Sequence, residues 1–218
     1  MGESIGAAEA GRMLRGAAAQ IRANHASLTQ LDSAGGDGDH GATMLRAMDR
    51  LEAEALSRTF ESLKTLLDAA GWTLLGIDGG ATGPLLGTLF LGLAEGTGEA
   101  WVDARAVAAA FESGLAALEK QTAARAGDKT MMDALIPAVA SIRTAASEGR
   151  SIAEAFASAS AGAQAGAAAT AAMVARYGRA KYLGERTRGV QDAGATSVAL
   201  IFEGFHQTLR EQGDAPHA

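Results

Sequence analysis

Apolar side chains recur every three or four residues along most of this 218-residue chain. The first such stretch covers residues 4–26, where Ile5, Met13 and Ile21 are separated by charged and small residues. This spacing places the apolar groups on one face of an α-helix, whereas a half-buried strand would show strict two-residue alternation. No stretch of the chain shows that alternation convincingly. The pattern therefore predicts an all-α protein.

The same spacing predicts about eight helices that are joined by short connections. Their expected ranges are 4–26, 41–55, 57–75, 85–94, 102–120, a sixth that follows residues 127–133, a seventh within the alanine-rich stretch 151–175, and 195–210. Short connections favour antiparallel neighbours, so we expect one domain over residues 1–218, built as an antiparallel helical bundle. In the alanine-rich stretch, Gly162 and Gly166 predict close helix packing rather than a membrane span.

Charge and cysteine content narrow the classes of function. The net charge of −6 argues against a nucleic-acid partner, and it means that a phosphate ligand would need a cation or helix N-termini nearby. The absence of cysteine excludes disulfides and thiol catalysis and fits a reducing compartment. The start of the sequence shows no signal or lipid-anchor pattern. We therefore expect a cytoplasmic protein without a membrane partner.

Three aspartates, Asp32, Asp37 and Asp39, fall close together in a glycine-rich stretch that we call the acidic stretch, residues 32–39. Carboxylates about 4 Å apart repel each other by roughly 1 kcal/mol in water and about 4 kcal/mol at an effective dielectric of 20. A hard divalent cation such as Mg²⁺ or Ca²⁺ would reverse that repulsion. Most Asp/Gly clusters are nevertheless solvated turns. The residues alone leave both interpretations open.

Two common motifs do not fit the acidic stretch. Residues 36–41 spell G-x-G-x-x-G, but the residues before them are too short and polar for the buried strand of a dinucleotide fold. An EF-hand loop that began at Asp37 would need an acidic or amide residue at position 41 and Glu at position 48, where Gly41 and Met48 stand. Asp39 is also well placed to cap the second helix.

Two further segments suggest ligand binding. The glycine turn, residues 79–84, reads G-G-A-T-G-P and lacks the Gly-Lys-Ser/Thr ending of a P-loop. It predicts either an anion site at a helix start or close packing of two helices. The basic segment, residues 178–194, carries four Lys and Arg residues against one Glu and one Asp. A loop of this length suggests a lid or binding loop, with a solvated surface connection as the alternative.

Four segments in this order resemble the nucleotide-binding L subunits of dihydroxyacetone kinases and the equivalent C-terminal domain of single-chain dihydroxyacetone kinases. They are L-D-S-A-G-G-D-G-D-H-G-A-T-M, G-G-A-T-G-P-L-L-G-T-L-F, G-D-K-T-M-M-D-A-L-I-P-A and G-R-A-K-Y-L-G-E-R-T-R-G-V-Q-D-A-G-A-T-S. The resemblance covers nearly the whole chain. It implies an eight-helix up-and-down barrel with a nucleotide, ATP or tightly bound ADP, at one end, held through two Mg²⁺ ions.

The resemblance also assigns roles to individual residues. The metal ligands would be Asp32, Asp37 and Asp39. The residues implied at the nucleotide are His40, Gly41, Ala42 and Thr43 with Ala81 and Thr82 at the phosphates, Thr122 and Met131 near the base, and Arg179, Asp192, Ala193 and Gly194 from the basic segment. For His40 we favour a role in binding over one as general base. No residue of this chain is assigned a catalytic role.

The chain departs from the usual family pattern at Thr43 (usually Asn), Thr82 (Ser), Thr122 (Gly), Val190 (His) and Ala193 (Pro). These changes leave the metal ligands untouched, but they put the rigidity of the lid and the sugar preference in doubt. The sugar could be dihydroxyacetone, another short ketose or a tetrose.

The family implies a partner K subunit that holds the ketose covalently through a histidine. One form of the family exchanges ATP, and the other keeps ADP, which a phosphotransferase-system protein rephosphorylates. The chain could also form a homodimer. The alternatives from other classes are a regulator whose nucleotide state is read by a transcription factor, and a purely structural helical protein.

Overall fold

The computed structural model describes residues 4–213 and contains eight α-helices in that range. They are α1 (Ala7–Ser33), α2 (His40–Ser57), α3 (Leu63–Leu75), α4 (Thr82–Glu95), α5 (Ala104–Gln121), α6 (Met132–Ser147), α7 (Ile152–Ala169) and α8 (Ala193–Gly213). Two 3₁₀ segments, Thr170–Ala172 and Arg179–Thr187, lie between α7 and α8. Residues 4–213 form no β-strand, and none of their helices is long and apolar enough to cross a bilayer. The all-α prediction is confirmed.

The eight helices form a closed ring. Each helix packs against the helix before and after it in the chain, and α8 packs against α1. Six of the seven connections are at most ten residues long, so the helices that they join run in opposite directions. The seventh, residues 170–192 between α7 and α8, is longer, and the start of α8 contacts the start of α2 through Ser197 and His40. The connections α1–α2, α3–α4, α5–α6 and α7–α8 therefore lie at one end of the ring, which is the end that carries all the segments singled out above.

Several helix boundaries differ from the sequence-based expectation. The first helix begins at Ala7 rather than residue 4, because Ile5 forms an isolated antiparallel bridge with Trp101. The third begins at Leu63 rather than residue 57, because the hydroxyl of Ser62 accepts a hydrogen bond from the amide of Thr65 and so caps the helix. The fourth begins at Thr82, and Pro84 is tolerated because it lies in the first turn.

Small residues allow neighbouring helices to approach closely, as expected from the spacing of Gly162 and Gly166. A Cβ atom on Gly166 would lie 2.1 Å from the carbonyl oxygen of Asp133 on α6. A Cβ atom on Gly41 would lie 2.1 Å from the carbonyl oxygen of His25 on α1. At both places the backbones of two helices meet where only glycine fits.

An aromatic cluster fills the ring toward the end opposite the glycine turn. Trp101 follows α4, which runs away from that turn, and its ring centroid lies 6.0 Å from that of Phe156. Phe156 is fully buried and lies 5.8 Å from Phe111 and 5.9 Å from Phe205. Apolar packing therefore closes this end, whereas the other end is lined by polar loops.

Candidate functional site

The acidic stretch brings its three carboxylates together. Asp37 lies in the connection between α1 and α2, and Asp39 immediately precedes α2. Asp32 does not lie in a loop, as the sequence suggested, but on the last turn of α1, because this helix continues to Ser33. One carboxylate oxygen from each aspartate lies within 4.8 Å of the others. The glycines between them make this possible, since Gly38 has a φ of +76°.

The surroundings of these carboxylates leave oxygen atoms free for a ligand. Asp32 is half-buried and accepts a weak hydrogen bond of 3.3 Å from the amide of His40. Asp39 occupies the expected N-cap position of α2, but its side chain makes no capping hydrogen bond. Asp37 is exposed and forms an ion pair with Arg179. Three carboxylates with one adjacent guanidinium keep this cluster negatively charged and rich in hard oxygen donors.

A cavity of about 440 Å³ opens beside the cluster. Its wall includes the start of α2 at His40 and the start of α4 at Ala81 and Thr82. The first amides of a helix lack partners within the helix and carry partial positive charge, so they favour anions. The cavity thus places two positive helix ends next to a cluster of carboxylates, which suits a cation and an anion bound side by side.

His40 is held from both sides of its ring. Its Nε2 atom lies 2.8 Å from the hydroxyl of Ser197 on α8, and its Nδ1 atom lies 3.4 Å from the hydroxyl of Thr82 on α4. Burial lowers the pKa of the imidazole, and the carboxylates of Asp32 and Asp39 act in the opposite direction. Both ring nitrogens therefore face hydroxyl groups, which fix the orientation of the ring in the cavity wall.

The basic segment is not an irregular loop but contains 3₁₀ turns from Arg179 to Thr187, interrupted at Gly184, which has a φ of +56°. It lies over the acidic stretch. In addition to the ion pair with Asp37, a Cβ atom on Gly35 would lie 3.1 Å from the Cβ atom of Ala180. The segment therefore covers one side of the cavity rather than connecting two helices through solvent.

Asp192 lies near the end of the basic segment, immediately before α8, and caps that helix. Its carboxylate accepts a hydrogen bond of 2.7 Å from the amide of Ala195. Burial raises the pKa of this carboxyl group from 3.8 to about 6, although the Ala195 amide and the ammonium of Lys129 act against the increase. A partly desolvated carboxylate therefore lies in the wall of the cavity.

Most of the residues implied by the resemblance line this one cavity. Those in its wall are Asp32, Asp37, Asp39, His40, Ala81, Thr82, Thr122, Met131, Arg179, Asp192, Ala193 and Gly194. The three that follow His40 do not line it. Gly41 packs against α1, Ala42 is exposed, and the hydroxyl of Thr43 accepts a hydrogen bond of 3.0 Å from Arg46. Any contact of these three with a ligand would have to use the backbone amides of the helix start.

Two residues of the wall were missed by the sequence analysis. Ser197 is buried on α8 and holds the His40 ring. Lys129 is buried although it stands in a connection between helices, and its ammonium donates hydrogen bonds to the carbonyl of Thr170, which precedes the basic segment, and to that of Val190, which lies within it. The run Gly127 to Thr130 was visible in the sequence, but nothing in it indicated that the lysine side chain points inward.

Comparison with known proteins identifies the family. The profile of the DAK2 domain matches residues 34–207, which is most of the chain. The chain belongs to the DAK2 domain family. It is 37% identical over 177 residues to the ADP-binding subunit DhaL of the PEP-dependent dihydroxyacetone kinase of Escherichia coli, covering 81% of this chain and 84% of the relative. The ADP-binding subunit DhaL of PEP-dependent dihydroxyacetone kinase 1 of Listeria innocua is 34% identical over 189 residues, covering 87% and 90%.

The fold of this chain is also seen in a solved structure. The dihydroxyacetone kinase of C. freundii in complex with AMP-PNP and Mg²⁺ aligns with a TM-score of 0.69 and 25% identity. The alignment covers 91% of this chain and 33% of that protein. The relationship to dihydroxyacetone kinase subunits, inferred from four sequence motifs, is therefore confirmed.

Proposed function

We propose that this DAK2 chain is the nucleotide-binding subunit of a two-component kinase for dihydroxyacetone or a related short ketose or tetrose. The observation that carries the proposal is the convergence of Asp32, Asp37 and Asp39 beside a cavity walled by the starts of α2 and α4. Carboxylates bind the metal, and helix starts bind the phosphates. This pairing is what a magnesium nucleotide needs.

The residues present fit Mg²⁺ by their chemistry. All three donors of the cluster are carboxylates, and their oxygens lie within 4.8 Å of one another. We infer that Asp32, Asp37 and Asp39 hold two Mg²⁺ ions, which neutralise the charge of the phosphates when they are bound. The amides at the start of α2 and the turn at Ala81 and Thr82 would then orient the phosphate chain.

The rest of the wall suits the nucleoside. Met131 is almost fully buried and lines the cavity together with Thr122, so a base could pack against it. Arg179 and the stretch from Asp192 to Gly194 would cover the nucleotide from the basic segment. Together these groups bind, orient and exclude water, and the protein needs to supply little covalent chemistry in phosphoryl transfer.

The acceptor and the phosphoryl donor require partners. We propose that a K subunit presents the ketose at the open end of the cavity. The two DhaL relatives are named as ADP-binding subunits of PEP-dependent kinases, which supports the form in which ADP stays bound and a phosphotransferase-system protein rephosphorylates it. The comparisons give no support to the regulator of transcription considered above.

Calorimetric titration of the nucleotide-free protein with ADP tests the site. We expect binding in the presence of MgCl₂ and its loss when EDTA replaces the metal. Asp37→Asn should weaken binding at least about tenfold, since it removes one charged ligand of the metal. The matched control is Asp49→Asn, which changes an exposed aspartate on the same helix as His40 but away from the cavity. Equal affinity in the two variants would refute the metal assignment.

The two forms of the kinase differ in turnover. Mixed with a K subunit, ketose and ATP, an ATP-exchanging protein would give many turnovers. The ADP-retaining form proposed here should give product only once per protein molecule until a phosphoryl donor protein is added. Multiple turnovers with ATP alone would contradict the ADP-retaining form but would leave the kinase assignment standing.

A further inference from the structure

Lys129 has an unusual position in the short connection between α5 and α6. Among residues 4–213 it is the one non-glycine residue with a positive φ, +61°. Its side chain is buried, and its ammonium donates hydrogen bonds of 2.6 Å to the carbonyl oxygen of Thr170 and 2.5 Å to that of Val190. The two hydrogen bonds are thus made from a residue whose backbone takes a conformation that L-residues seldom adopt.

The two carbonyls lie at the two ends of the chain segment that covers the cavity, residues 171–189. We call these ends the roots of the segment. Thr170 is the first residue after α7, and Val190 lies two residues before Asp192. Other bonds join the same two roots to each other, from the amide of Gly189 to the carbonyl of Ala171 (2.8 Å) and from the amide of Asp192 to the hydroxyl of Thr170 (2.8 Å). Residues 171–189 thus leave and re-enter the helical ring at one point, with the ammonium between the two ends.

The connection that carries Lys129 is itself held rigidly. The carboxylate of Asp133 accepts hydrogen bonds from the amides of Gly127 (2.5 Å) and Thr130 (2.8 Å). On the outer side, the carbonyl of Asp128 accepts a bond of 3.1 Å from the amide of Arg176. The ammonium is therefore presented from a fixed turn. Its removal would take the donor from the carbonyl of Val190 and leave the carbonyl of Thr170 with only its hydrogen bond of 3.0 Å from the amide of Met173.

We propose that Lys129 is a positioning residue that fastens both roots of residues 171–189 and thereby sets how long a nucleotide stays in the cavity. The part about the nucleotide rests on the proposed function, whereas the part about fastening does not. Within residues 4–213 its ammonium bonds to the two carbonyls and forms no hydrogen bond or ion pair with the three aspartates, so we assign it to the cover of the site rather than to the metal.

Hydrogen exchange of the nucleotide-free protein tests the fastening directly. In Lys129→Met we expect the peptides that contain the amides of Arg176 and Gly189 to exchange at least about tenfold faster, while peptides from the middle of α6 keep their protection. Lys120→Met, a change to an exposed lysine on α5, should leave both regions unchanged. Unchanged exchange at Arg176 and Gly189 in Lys129→Met would overturn the proposal. If that variant does not fold, Lys129→Gly removes the ammonium at a residue that accepts positive φ.

The rate of ADP release tests whether Lys129 affects how long the nucleotide stays bound. With Mg²⁺ present, release from Lys129→Met should be at least about tenfold faster than from the parent, with binding still dependent on the metal. If Lys129→Met releases ADP at the same rate as the parent, Lys129 has no role in retaining the nucleotide. If the parent protein itself fails to bind ADP, the proposed function is refuted, and the hydrogen exchange result still decides whether Lys129 fastens the segment.

Discussion

Replacing Asp192 with asparagine should change how the stability of this protein depends on pH. The carboxyl group of Asp192 lies half-buried in the cavity wall, and burial raises its pKa from 3.8 to about 6. An asparagine of nearly the same shape can still accept the hydrogen bond from the amide of Ala195. The substitution therefore removes the charge while keeping the cap of α8.

The sign of the effect follows from where the proton is held. Between pH 3.8 and about 6 the folded protein keeps a proton on Asp192 that the unfolded chain has lost. The free energy of unfolding therefore falls as the pH rises through this window. The interval between the two pKa values, at about 1.36 kcal/mol per pH unit, gives an upper limit of about 3 kcal/mol at neutral pH.

Urea denaturation of the nucleotide-free protein at several pH values measures this difference. Relative to the parent, we expect Asp192→Asn to gain about 2 kcal/mol of unfolding free energy between pH 4.5 and pH 7.5. The control is Asp103→Asn, which makes the same change at the exposed cap of α5, where the side chain accepts a hydrogen bond of 2.8 Å from the amide of Ala106. If the free energies of unfolding of the parent and of Asp192→Asn change by the same amount across this pH range, burial does not raise the pKa of Asp192.

Three further predictions concern packing. Gly41→Ala should lower the free energy of unfolding by about 1–3 kcal/mol, because the new Cβ would lie 2.1 Å from the carbonyl oxygen of His25. Gly11→Ala, on α1 with open space around the new Cβ, should instead raise it by about 0.5–1 kcal/mol, so equal effects at the two glycines would contradict the close approach of α1 and α2. Phe156→Ala should cost about 3–5 kcal/mol, and a loss below about 1 kcal/mol would show that the aromatic cluster is not the packed core. Urea denaturation measures all three.

The helical fold could be predicted because it rests on local periodicity. Met13, Ile21 and their neighbours repeat at the spacing of one helix face whatever the rest of the chain does. Helix ends were harder to place. The start of α3 is set by the cap at Ser62, and the start of α1 is set by the pairing of Ile5 with Trp101, a contact between residues far apart in the sequence.

The site was only partly predictable for the same reason. Asp32, Asp37 and Asp39 are close in sequence, so their convergence requires only a turn and some glycines. The partners of His40 and Lys129 are distant, since Ser197 lies 157 residues after His40 and Val190 lies 61 residues after Lys129. Contacts of this kind depend on the closure of the helical ring, which the spacing of residues does not reveal.

The cavity cover, residues 171–189, is held by one kind of contact at its two ends and by another kind near its middle, which we call its tip. At its roots, the buried ammonium of Lys129 binds neutral carbonyls, so this contact does not involve the carboxylate cluster. Toward its tip, Arg179 pairs with Asp37, one of the three carboxylates of that cluster. A divalent cation held by all three aspartates has to share Asp37 with Arg179. By linkage, whatever strengthens the hold of the cluster on a cation loosens the contact at the tip, and the reverse is equally true. If Lys129 fastens the cover and the three aspartates hold a cation, as proposed, the cover stays fastened at its ends while the contact of Arg179 responds to the charge in the cavity.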